Sequence, residues 1–128
     1  MCLLDALQSW SADVIRCTAT SHRDAANPLR SAGRLHAAVA VEYASQAMAL
    51  HGSLCAAAGA APQAGFLAGV RGVRLHVPRL DGIDGPITIT AERLAGDAGQ
   101  AIYNFTLHDV QGRLLVDGRA TVILNTLP

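Results

Sequence analysis

The stretch from Leu35 to about Gly59 decides most of what this chain can become. It is rich in alanine, holds leucine and methionine, and has no internal proline, so it reads as one long helix. A helix that is apolar nearly all round must be buried on most sides. Its polar exceptions form a seam. Glu42 and Gln46 stand at i,i+4, Ser45 and Ser53 fall near the same side, and His51 projects the opposite way. The stretch is long enough to cross a bilayer. Glu42, Gln46 and His51, set among weakly hydrophobic alanines, weigh against a span, and a soluble, buried helix is expected.

Such a helix needs a sheet around it. Val14 to Ala19 alternates and reads as a strand, whereas the first ten residues are too short a segment to classify. Ser21 to Gly33 is polar, holds Asn27-Pro28 and reads as a long loop, a kind of segment that often carries function. Strands are expected over Phe66 to Val77, where Gly69 and Gly72 point to a bulge or a close backbone approach, and over Ile87 to Leu94. After a turn at Gly96-Asp97-Ala98-Gly99, Ala101, Tyr103, Phe105 and Leu107 alternate with Ile102, Asn104, Thr106 and His108. A turn at Asp109 to Gly112 leads to the same pattern from Leu114 to Leu124. Alternation on consecutive strands means an antiparallel meander with one buried face, and the long helix is the cover for it. The expected class is α+β, one domain over residues 1–128.

Apolar residues make up 51% of the 128, and charged ones only 16%. So little charge on a small domain is accounted for if part of the surface is buried against a second subunit, so a dimer is expected. Ten basic and ten acidic side chains cancel, and aromatics reach only 4%, which argues against nucleic acid as a partner. Cys2, Cys17 and Cys55 are odd in number and widely spaced, so reduced thiols in the cytoplasm are expected rather than disulfides. The first residues, Met1-Cys2-Leu3-Leu4-Asp5, lack a basic region and do not read as a secretion signal.

The chemistry has two candidates. His22 sits in the long loop and Glu42 in the first half of the helix, and an imidazole with a carboxyl can move protons on and off a substrate. Histidine, with an ordinary pKa of about 6.5, is mostly neutral and basic at pH 7. The helix N-terminus favours the Glu42 anion only within about one turn. Burial beside apolar walls is expected to prevail, keeping a proton on the carboxyl. Two plainer readings stay open: a solvated loop histidine, and a carboxylate paired with an arginine of a neighbouring strand. His36, His51, His76 and His108 show no metal-like spacing, and no HExxH, GxGxxG, Walker or GxSxG pattern occurs, so neither metal nor cofactor is expected.

Trp10 to Ala19, the loop Ser21-His22-Arg23-Asp24-Ala25-Ala26-Asn27-Pro28-Leu29 and the helix Glu42-Tyr43-Ala44-Ser45-Gln46-Ala47-Met48 resemble the hot-dog 3-hydroxyacyl-[acyl-carrier-protein] dehydratases. Among them the likeness is strongest to the ApeP-like branch of aryl polyene biosynthesis, and it covers nearly the whole chain. The resemblance implies a hot-dog fold, a dimer with its two sheets joined, and two sites at the interface. In each, a loop histidine and a helix acid from opposite subunits face each other across an acyl tunnel. His22 and Glu42 match those catalytic positions.

The implied reaction turns a 3-hydroxyacyl thioester into a trans-2-enoyl thioester, with helix-start N–H groups holding the thioester oxygen and Gln46 orienting the acid. Asn27, Gln46, Arg71 and Arg74 are candidate substrate contacts. Arg71, Arg74 and Arg79 would meet an acidic acyl carrier protein or a phosphopantetheine phosphate, unless they are only a solvated basic edge. The thioester partner is an acyl carrier protein or coenzyme A, and the second subunit is a copy of this chain or a paralogue. The better-known dehydratases follow their histidine with Phe-Pro-Gly, where this chain has Arg23-Asp24-Ala25. Two further readings therefore stand beside dehydration: a thioesterase of the same fold, and a non-catalytic acyl-binding or heterodimer subunit.

Overall fold

Ala101, Tyr103, Phe105 and Leu107 are buried and the residues between them half-buried, so the period-two pattern of the meander is a true inner and outer face. The computed structural model describes residues 2–57, 65–96 and 99–124. Its strands are β1 (Ala6–Trp10), β2 (Val14–Ala19), β3 (Gly65–Leu75), β4 (Ile87–Gly96), β5 (Gln100–His108) and β6 (Leu114–Leu124), and α1 spans Ala40–Ala57. They form one antiparallel sheet in the order β1-β2-β4-β5-β6-β3, with α1 against its inner face. Tyr43, Ala44 and Ala47 of α1 and Ile15, Ile89, Phe105 and Leu107 of the sheet are fully buried, each large apolar side chain contributing about 1.5–3 kcal/mol.

The helix starts later than the sequence suggests. Leu35 and His36 are held as extended chain: Asp81 accepts the Leu35 N–H, the Leu35 carbonyl accepts from Leu80 N–H, and His36 bridges to Arg79. His36 then caps a 3-10 turn, Ala37–Val39, its Nδ1 accepting the Ala38 N–H at 3.0 Å, and α1 follows. The expected end near Gly59 and the turn residues Asp97 and Ala98 lie outside the described residues. Among those described, no helix is long and apolar enough to cross a membrane.

The glycines of β3 do mark bulges. Its pairing with β6 slips between Leu67 and Gly69 and again between Arg71 and Arg74, where Gly72 takes a φ of 62°, a region open to glycine at little cost. On β6 an extra residue, Leu115, sits between the partners of Leu107 and His108, so Leu115 and Val116 are both buried. The segment left unclassified becomes β1, all five residues of which are exposed.

Candidate active site

The loop after β2 folds inward rather than into solvent. A single 3-10 turn, Ser21–Arg23, brings His22 to full burial, which replaces the reading of a solvated loop histidine. Its Nε2 lies 3.0 Å from the Ile83 carbonyl. A carbonyl only accepts, so Nε2 carries the proton. Nδ1 is then a lone pair, buried and without a hydrogen-bond partner. Burial pushes the imidazole pKa below its ordinary value; the carbonyls of Ile83 and Gly85 oppose this and the guanidinium charges of Arg23 and Arg30 add to it. The result is a neutral base with its acceptor nitrogen free.

The loop is fixed by a chain of donors running one way. Asn27 Nδ2 donates to the Tyr43 hydroxyl, Tyr43 to Ser21 Oγ at 2.7 Å, and Ser21 to the Leu3 carbonyl at 2.8 Å. Asn27 also donates to the Ser21 carbonyl and accepts from Leu29 N–H. Asn27, a candidate substrate contact, is buried and braces the loop, both ends of its amide being engaged inside the chain. Arg30 adds a clasp, donating to the carbonyls of His22, Asp24 and Gly33. Neither Tyr43 nor Arg30 stood out in the sequence. The only hint of either was its place: a tyrosine beside Glu42 on a buried helix, and an arginine within the loop.

Glu42 is exposed, contrary to the expected burial of its carboxyl. Tyr43 faces the sheet, and successive helix residues turn by about 100°, so Glu42 points away from the core; an unpaired carboxylate would be costly there. Gln46, expected to orient it, accepts the Leu3 N–H at 2.7 Å. The helix-start N–H groups expected to hold a thioester oxygen are engaged: Ala37 donates to Pro78, Ala38 to His36 Nδ1 and Val39 to the His36 carbonyl. Beyond Gln46 a groove of about 390 Å³, lined by Leu4, Ala6, Leu7, Ala49 and Leu50, continues along the same side of α1.

A family model of the ApeP dehydratase matches residues 1–126. The chain belongs to the ApeP-like family. The dehydratase heterocomplex ApeI:P from Xenorhabdus doucetiae is similar at 26% identity and a TM-score of 0.81, the match covering 97% of this chain and 83% of that one. AziG from S. sahachiroi follows at 22% identity and a TM-score of 0.67, covering 95% and 91%. Thioesterase superfamily member 2 from Mus musculus, at 21% and 0.69 and covering 94% and 81%, has the same fold. No curated protein matches. The architecture of this ApeP-like chain, six antiparallel strands about one long helix, is the hot-dog fold.

The remaining polar residues of the ApeP-like chain are placed elsewhere. His51 lies on the buried side of α1, its Nε2 donating to the Ser11 carbonyl at 2.8 Å and its Nδ1 accepting from the Tyr103 hydroxyl at 2.7 Å. Arg71 and Arg74 lie on β3, Arg74 paired with Asp117, and line a groove on the sheet face away from α1 rather than the groove beside Gln46. Arg79 pairs with Asp81, whose carboxyl the Leu35 N–H and then that guanidinium hold down at a pKa of about 2.

Proposed function

We propose that the chain dehydrates a 3-hydroxyacyl thioester to the trans-2-enoyl thioester at sites shared between two subunits. His22 Nδ1 takes a proton from the carbon between the hydroxyl and the thioester carbonyl. Glu42 of the facing subunit protonates the departing hydroxyl. The C–H and C–O bonds break, a C=C bond forms and water leaves; the proton on His22 then passes back to Glu42. One observation carries the reading: a buried imidazole whose tautomer is fixed by Ile83 and whose other nitrogen is unoccupied. The exposed Glu42 supports it, since an acid that reaches out of its own chain is available to another.

The acyl tail lies in the groove that begins at Gln46, and the thioester is carried on the phosphopantetheine of an acyl carrier protein or on coenzyme A. The second subunit is a copy of this chain or a paralogue, the latter favoured by the heterocomplex to which it is similar. Three free cysteines suit a reducing cytoplasm. Hydrolysis is the second reading, because thioesterases share the fold.

Incubating the protein, alone and with a copurified paralogue, with a 3-hydroxyacyl thioester separates the two. Conjugated-enoyl absorbance marks dehydration, and release of free thiol marks hydrolysis. His22→Ala and Glu42→Ala are each expected to slow the dehydration about 10²–10⁴-fold. An unchanged rate in either variant refutes that residue's role.

A further inference from the structure

On the sheet face turned away from α1, β3, β6 and β5 lie side by side and line a groove of about 570 Å³. Two cross-strand rows form its floor. In one, Arg74 on β3, Asp117 on β6 and Thr106 on β5 are neighbours. That row is neutralised from within: Asp117 accepts from Arg74 Nε at 3.1 Å and from His76 Nε2 at 2.7 Å. The other row is Arg71, Arg119 and Asn104. Here two guanidinium groups stand directly opposite each other, an arrangement that repels across a strand pair. Among the described residues neither has a carboxylate partner, and Arg119 has only a 3.4 Å bond to the Asn104 side-chain oxygen. Glu92, the next carboxylate along this row, lies on β4, two strand spacings or about 10 Å of backbone from Arg119.

We infer that this groove binds a phosphoester, with Arg71 and Arg119 clasping the anion and Asn104 and Thr106 offering side-chain hydrogen bonds. Guanidinium forks match phosphate oxygens in pairs, and a dianion placed between them would turn the repulsion into attraction. The bulge at Gly72 sets Arg71 and Arg74 three residues apart on β3 where their partners are two apart on β6. The phosphoester has two possible sources, the nucleotide end of a coenzyme A thioester or a free phosphorylated metabolite.

Titration calorimetry of the whole chain with adenosine 3′,5′-bisphosphate and with inorganic pyrophosphate tests the site without reading turnover, so its failure leaves the dehydratase proposal standing. Saturable binding is expected, weakened about ten-fold or more by Arg71→Gln and by Arg119→Gln. Arg16→Gln, on the same face but on β2, should leave it intact. Tighter binding of the bisphosphate assigns the nucleotide source, and equal binding assigns free phosphate. Absence of binding by both probes overturns the inference, as does equal weakening by Arg16→Gln. If Arg71→Gln and Arg119→Gln spare phosphate binding but abolish association with a partner chain, the groove takes protein carboxylates and the inference is wrong.

Discussion

His22 is a base that folding keeps unprotonated. Its folded pKa is lowered chiefly by burial, so just below pH 6.5 the unfolded chain binds a proton that the folded chain does not. Stability from this group is complete above about pH 6.5 and is lost as pH falls through the lower folded value. The same shift extends the range of the free base. The acidic limb of kcat/KM is expected below about pH 6.5, and an inflection at or above that value contradicts the assignment. Gly118 is constrained differently: a Cβ there would lie 2.7 Å from the Phe105 ring and 3.0 Å from Val73. Gly118→Ala should therefore cost about 1–3 kcal/mol, read from the urea midpoint, and Phe105→Leu in the same chain should recover part of it. Residues of this kind are hard to read in advance. That His22 and Glu42 were worth attention followed from their types, but whether each is inside or outside depends on Ile83 and Tyr43, contacts that no local pattern encodes.

At the scale of elements, the loop between β2 and α1 is held as a unit. Removing Arg30 takes a donor from three main-chain carbonyls, of which that of Asp24 keeps the Asn27 N–H and that of His22 is part-buried, a loss of about 0.5–1.5 kcal/mol confined to that loop. In Arg30→Ala, amide hydrogen exchange over residues 21–33 should quicken while β4 to β6 stay protected. The rate of dehydration should fall with little change in KM; unchanged exchange refutes the clasp. The helix and the meander were legible because each repeats one period over many residues with a single buried face. β1 was not, because all five of its residues are exposed and nothing alternates. The helix start was misplaced for a related reason: Leu35 is apolar and fits a helix, but hydrogen bonds to Leu80 and Asp81, more than forty residues on, hold it extended.

At the scale of the whole molecule, the sheet of the described residues has two open edges, β1 and β3. Val70 on β3 is opposite buried Ala120, hence on the helix side of the sheet, yet it is 40% exposed because the sheet ends there. Leu75 on the same strand is exposed too. A second subunit on this edge would cover both, and the proposed reaction requires such a subunit. Val70→Lys is expected to weaken association at least ten-fold by sedimentation velocity, with the monomer still folded by circular dichroism. A wild-type chain that sediments as a monomer, alone and with its paralogue, sinks the shared site.

The strand order also sets a timetable for synthesis. β3 precedes β4 and β5 in the chain, yet among the described residues it pairs with β6, which follows them both. Until β6 is made it has no neighbour for its backbone, while β4 and β5 are still being added. The nascent chain thus carries an unpaired strand until β6 emerges, and a chain shortened before Leu114 would never close it.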